Sequence, residues 1–154
     1  MLDGAGCVFC AIADESEPSS DVYRDDALVC FLSNAPVNPG HALIIPRQHA
    51  SSLSDLDADV GAALFKLALR IQAALRGSGL ACEAVNLFLA DGEAASQLVP
   101  HVHLHVIPRF AGDSFGLNSR GGVTTWEHMP PREELDANAA IVRSAYQRLW
   151  TGLL

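Results

Sequence analysis

The sequence predicts an α+β fold in which an antiparallel sheet packs against one long helix, with a second helix at the C-terminus. Three observations carry that expectation. Residues 57 to 76 place Val60, Leu64, Leu67, Ile71 and Leu75 at helical spacing. Short apolar runs of strand length recur along the chain, separated by turn residues. The run "HVHLHVIPR", residues 101 to 109, alternates with the period of two that belongs to an extended chain.

Taken in order, a short cysteine segment comes first. "VYRDDALVCFLS" then reads as two extended pieces around a turn at Asp25-Asp26. "NAPVNPG" is a loop, and "HALIIPR" is the next strand. The helix over 57 to 76 has Ser54 or Asp57 available as N-cap and Gly77 just past its end. "GSG" at 77 to 79 breaks the chain before the strand "LACEAVNLFLA". "DGEAASQ" separates that strand from "LVPHVHLHVIP", which predicts a long-looped antiparallel pair with the histidine strand inside the sheet. Four glycines in residues 111 to 122 predict a flexible flap over about 111 to 127. Pro130 and Pro131 open a last helix over about 131 to 151, with Leu135, Val142, Tyr146 and Leu149 expected on its buried face. No internal repeat is seen, and the 154 residues are expected to form one domain.

A hydrophobic content of 49% with 18% charged residues is that of a compact fold. The net charge of −8 argues against a nucleic-acid partner, which needs a basic track to displace phosphate counterions. A small phosphorylated ligand remains compatible, because backbone amides and a few side chains bind it locally. No apolar run approaches the roughly 20 residues that span a bilayer, and the first residues lack a basic-then-apolar leader. A cytoplasmic protein without a membrane partner is therefore expected. Cys30 and Cys82 read as buried small residues in strand-like segments, whereas Cys7 and Cys10 have the two-residue spacing of a metal knuckle or a redox pair.

Three of the six histidines fall at alternate positions of one run. His101, His103 and His105 then line one face of a strand, and Val102, Leu104 and Val106 line the other. Three readings are open from the residues alone. The histidines are a half-buried face satisfied by backbone carbonyls, a metal site, or a nucleophilic site in which a neutral imidazole attacks phosphorus.

"HVHLHVI" resembles the signature of the histidine-triad (HIT) family. "NPGHALIIPRQHA" is similar to that family's glycine-histidine strand. "DGEAASQLVPHVHLHVIPRFAGD" is similar to the loop-and-triad region of dinucleoside polyphosphate hydrolases of the fragile-histidine-triad type. The likeness covers roughly residues 7 to 113 in the family's order, and the final 40 or so residues share it only loosely. It implies that His103 is the nucleophile, forming a nucleotidyl-histidine intermediate at an α-phosphate without needing a metal. It places His105 and His41 around the phosphate and offers the amides of the Ser96 to Val99 turn (Ser96, Gln97, Leu98, Val99) to the developing charge. Bacterial-type members carry "CxFC" near the N-terminus, and likeness to them implies one structural zinc on Cys7, Cys10, His49 and His101, with no open coordination position.

Several positions depart from the family pattern together. Ser33, with Asn34 beside it, stands where Asp or Asn usually contacts ribose. Ala90 replaces a polar residue, Ser96 stands where Gly usually precedes Gln97, and Leu98 stands where Ser or Thr often follows it. The resemblance thus implies a hydrolase or transferase of nucleoside phosphoramidates or dinucleoside polyphosphates, with a purine nucleotide or dinucleoside polyphosphate as ligand, and a homodimer. The alternatives it leaves are a phosphorylase and a zinc-stabilised nucleotide-binding or interaction protein with little turnover. Trp126 and His128, beyond the glycine-rich segment, are two residues that could cover the site, with an exposed loop histidine the favoured reading of His128.

Overall fold

The computed structural model describes residues 6 to 113 and 129 to 151. Most of the expected flap, with Trp126 and His128, lies outside the described residues. The elements run α1 (Val8–Ala13), β1 (Asp21–Arg24), β2 (Leu28–Leu32), β3 (Ala42–Pro46), α2 (Ala58–Arg76), β4 (Ala84–Phe88), β5 (Leu104–Arg109) and α3 (Arg132–Trp150). The five strands form one antiparallel sheet in the order β1-β2-β3-β5-β4. The architecture is the expected α+β one, and β5 is internal, paired with β3 on one side and β4 on the other.

Both faces of the central strands are covered, which is why β2 and β3 read as continuous apolar runs. Leu28, Cys30 and Leu32 of β2 and Ala42 and Ile44 of β3 join Leu64, Leu67, Ile71 and Leu75 of α2 and Leu135, Val142 and Tyr146 of α3 in the main core. The intervening Val29, Phe31, Leu43 and Ile45 point to the opposite face, where they pack with Phe9, Ile12 and Ala13 of α1. The same alternation sends Val102, just before β5, and Leu104 and Val106 within it to the helices. The histidines are left to the α1 face.

Local chemistry accounts for the element ends. Asp57 caps α2 by accepting from the amides of Asp59 and Val60, so of the two candidate caps it is Asp57 that acts. Gly40 has φ +93°, and a Cβ there would lie 2.9 Å from Leu75 Cδ2. Only glycine lets the chain turn into β3 so close to α2, and that turn delivers His41.

The structure corrects four expectations. β5 begins at Leu104, so His101 and His103 precede the ladder instead of lying within it. β3 ends at Pro46, and beyond it the Val102 amide bonds the Ala50 carbonyl and the His101 ring bonds the Pro46 carbonyl in place of regular pairing. Leu149 is 41% exposed, outside the buried stripe of α3 formed by Leu135, Ala139, Val142, Ala145 and Tyr146. Cys82 is partly buried and sits two residues before β4. The cysteine segment contains a short helix, α1, that its pattern did not announce.

Candidate metal centre and histidine cluster

Four donor atoms converge from three separate parts of the chain. Cys7 precedes α1, Cys10 lies within it, His49 follows β3 and His101 precedes β5. Their ligating atoms all lie within 4.8 Å of one another. Cys7 Sγ is 3.5 Å from His101 Nδ1, and Cys10 Sγ is 3.2 Å from His49 Nδ1 and 3.6 Å from His101 Nδ1. A tetrahedron with Zn–S near 2.3 Å and Zn–N near 2.0 to 2.1 Å has sulfur-to-nitrogen edges of about 3.5 Å, so the observed spacing fits that ion.

The outer contacts fit it too. His101 Nε2 donates to the Pro46 carbonyl at 2.8 Å, and His49 Nε2 lies 3.1 Å from Ser51 Oγ. The carbonyl only accepts, so His101 has its lone pair on the inward Nδ1, and the Ser51 contact holds the His49 ring with Nδ1 turned inward as well. Burial first, and the neighbouring Cys7 second, push the Cys10 thiol up to about 11, so two thiolates in this place call for a cation. Cys7, Cys10, His49 and His101 are positioned to bind a metal as a closed Cys2His2 set.

His103 adjoins this centre. Its Nδ1 lies 2.7 Å from the carbonyl of His101. A carbonyl only accepts, so the proton is on Nδ1 and the lone pair on Nε2. The Phe9 ring packs edge-on against both His101 and His103, with centroids 5.9 and 5.1 Å away. Burial lowers the His103 pKa and favours the neutral ring.

A second chain of bonds fixes the other two rings. The Val37 amide donates to His41 Nδ1 at 3.1 Å, which puts the His41 proton on Nε2. His41 Nε2 lies 2.9 Å from His105 Nδ1, so it donates there and His105 carries its own proton on Nε2. His41 is buried, and its pKa is lowered well below the usual imidazole value by that burial and then by His105. Burial, and secondarily His103, push His105 down to about 3. The His103 and His105 rings are 5.0 Å apart between centroids, so a bare nitrogen and an N–H donor share one small region.

The remaining expected site residues are placed less uniformly. Ser33 is buried, its Oγ accepting from the Ala35 amide at 3.3 Å, while Asn34 is exposed. Gln97 is occupied within its own loop: Oε1 accepts from the Gly92 amide at 2.7 Å and Nε2 donates to the Ser51 carbonyl at 3.0 Å. The amides of Ser96 and Gln97 bond the Glu93 and Gly92 carbonyls. Among the described residues those of Leu98 and Val99 make no such bond and are the donors left in this turn. Leu98 is 91% exposed, Val99 packs against the Phe9 cluster, and Ala90 is buried.

Phe9, Asn38, Arg109 and Asp113 escaped the reading of the sequence. Asn38 Nδ2 donates to the Pro108 carbonyl at 2.9 Å and to Asp113 Oδ2 at 2.8 Å. Arg109 grips the same carboxylate with Nε and Nη2 at 2.7 and 2.6 Å. That guanidinium first, then the Phe110 amide and Asn38, hold the Asp113 carboxyl well below the usual carboxylate range. The only signal was the loop asparagine of "NPGH" and the acid closing "PRFAGD", four residues beyond the arginine.

Comparison with known proteins agrees with this geometry. A HIT-like protein of Borreliella burgdorferi is 40% identical over 111 residues, covering 71% of this chain and 80% of that protein. The Arabidopsis thaliana adenylylsulfatase HINT3 is 38% identical over 104 residues, covering 67% of this chain and 52% of that protein. The crystal structure of a zinc-bound histidine triad family protein from Mycobacterium smegmatis superposes with a TM-score of 0.82 at 32% identity, covering 97% of this chain and 99% of that one. The family profile described as HIT domain matches residues 14–112, a span that takes in both the His41 turn and the three alternating histidines. The chain belongs to the histidine-triad family.

Proposed function

We propose that the chain is a nucleotide hydrolase or transferase that works on the α-phosphate of nucleoside phosphoramidates or dinucleoside polyphosphates through His103. The observation that carries this reading is the His103 Nδ1–H bond to the His101 carbonyl, which leaves Nε2 as a neutral, oriented nucleophile. In the first step Nε2 forms a bond to phosphorus and the bond from phosphorus to the leaving group breaks. In the second, water replaces the imidazole, the phosphorus–nitrogen bond breaks and His103 returns to its neutral form. His105, protonated on Nε2 through the His41 relay, donates to a phosphate oxygen as charge develops there. The Leu98 and Val99 amides are the backbone donors for the same charge. Family membership and the adenylylsulfatase relative support this class of reaction.

A bound zinc supplies structure to this site, holding His101 and hence the carbonyl that orients His103. Its two thiolates must stay reduced, which favours a reducing compartment such as the cytoplasm. A homodimer also fits. β4 is an edge strand with Leu87 exposed, and Phe65 and Leu69 of α2 are exposed apolar side chains, so a second copy has both an unpaired edge and apolar surface to cover. Light scattering giving a 16.4 kDa particle at micromolar concentration would remove the dimer.

The test of the reaction is turnover of a labelled dinucleoside polyphosphate. The wild type should release adenylate, and His103→Ala should abolish release while leaving nucleotide binding largely intact. Covalent trapping at His105 instead of His103 would sink the assignment. Diversion of product by added inorganic phosphate would make the protein a phosphorylase. A second reading, nucleotide binding with little turnover, is favoured by the exposed Leu98 and by the left-handed Ser96 where family members carry glycine.

A further inference from the structure

β3 begins at Ala42, so the end of β5 outruns it: pairing with β3 covers only Leu104 to Val106. In an antiparallel ladder successive residues turn their polar groups to alternate sides. Arg109 turns its carbonyl toward β4, where the Glu83 amide bonds it at 2.8 Å, so Pro108 turns toward the side that β3 has vacated. Proline has no amide to satisfy there, but its carbonyl needs a donor. Asn38 supplies it from the loop that leads into β3. Its second amide hydrogen goes to Asp113, which Arg109 holds bidentately, and Arg109 Nη1 in turn donates to Asn86 Oδ1 of β4 at 2.6 Å. Asn38 and the Asp113 carboxylate are both buried.

This cluster fixes the very loop that sets the tautomers. The Asn38 carbonyl accepts from the His41 amide at 3.0 Å, and the neighbouring Val37 amide is the donor to His41 Nδ1. The Val37 donor is a backbone group, so its aim depends on what pins the loop. We propose that Asn38, Asp113 and Arg109 form a positioning clamp that locks the Val37 amide onto His41 and thereby forces the His41 and His105 protons onto Nε2. Two runs of hydrogen bonds, Asn86 through Arg109 and Asp113 to Asn38 and Val37 through His41 to His105, are then joined by the Val37-Asn38 peptide link. The clamp's consequence for chemistry rests on the proposed role of His105 as a phosphate-side donor; its consequence for tautomers does not.

Long-range proton–nitrogen NMR on the full chain, with labelled histidine and no substrate, reads the tautomers directly. In the wild type His41 and His105 should each carry the proton on Nε2. In Asn38→Ala and in Asp113→Asn the His41 signals should move toward a mixture of tautomers, and kcat on a dinucleoside polyphosphate should fall about tenfold or more while KM changes by less than about threefold. Asp136→Ala is the control, because it removes a 2.6 Å bond from Ser20 at the far edge of the sheet and should lower the melting temperature without moving either tautomer. A wild-type His41 protonated on Nδ1 would overturn the proposal, as would wild-type tautomers in a folded clamp variant. Shifted tautomers with unchanged kcat would overturn the link to catalysis. A wild type that turns over no nucleotide would count against the proposed reaction and leave the tautomer test standing, and if one clamp variant fails to fold the other is read alone.

Discussion

Ser96 occupies a left-handed backbone conformation (φ 67°, ψ 32°) in the loop between β4 and β5, where a side chain is disfavoured by about 1 to 2 kcal/mol. Glycine relieves that strain but enlarges the unfolded ensemble, so Ser96→Gly should gain about 0.5 to 1 kcal/mol, seen as a melting temperature raised by roughly 1 to 4 °C. A lowered melting temperature would mean that the serine side chain contributes more than its backbone costs. Protonation gives a second residue-level prediction. His41 and His105 have folded-state pKa values depressed by burial, so they stay neutral in the fold while unfolded imidazoles titrate near 6.5. The unfolded chain then binds more protons, and stability is full above about pH 6.5 and falls as pH drops below it, by up to about 1.4 kcal/mol per pH unit for each histidine. Urea unfolding at pH 7.5, 6.5 and 5.5 should show that decline, and His41→Gln should flatten part of it; a level wild-type profile contradicts the burial argument. The alternation of His101, His103 and His105 was legible because it needs only the period of a strand. Their tautomers were not, because each is set by a backbone partner, the His101 carbonyl or the Val37 amide, that no side-chain pattern reveals.

Elements were legible where a periodic face is long enough to count. α2 shows five apolar residues at helical spacing over five turns, and its observed bounds differ from the expected ones by one residue. α1 spans six residues, too few to establish a period, and it forms because Phe9, Ile12 and Ala13 find the second face of the sheet. Loss of the strand ladder before Leu104 was equally unreadable, since it depends on where β3 stops. The cap of α2 yields a direct test. Asp57 satisfies two of the orphan amides of the first turn, so Asp57→Ala should cost about 0.5 to 2 kcal/mol in denaturant unfolding, whereas Ser54→Ala should cost much less because Ser54 was the cap that the structure did not use. Equal losses at the two positions would mean that the first turn draws on both side chains.

Across the whole molecule, the Cys2His2 set joins pieces of chain that the sheet alone leaves separate. Cys7 and Cys10 bring α1, His49 brings the segment leaving β3, and His101 brings the segment entering β5. Their individual residues were legible through likeness to a family. Their convergence required the fold, because 39 residues separate Cys10 from His49 and 91 separate it from His101. A ligand that binds only the folded chain stabilises it by mass action, about 4 kcal/mol when free metal exceeds Kd a thousandfold. For a chain of this length that corresponds to roughly 8 to 16 °C in melting temperature. Cys7→Ser with Cys10→Ser should lose most of that increment and its zinc content, and amide exchange should quicken first in α1, which is then held by Phe9, Ile12 and Ala13 and by the Arg24 bonds to the Ile12 and Ala13 carbonyls. Turnover should survive in part at low temperature, because His103 is oriented by the His101 carbonyl and the main core under β5 does not involve the metal. Metal analysis that finds no zinc in protein purified without chelators would remove the staple. A folded double variant with no activity at all would give the ion a share in the phosphoryl chemistry assigned here to imidazole, since loss of a staple alone loosens the nucleophile without deleting it.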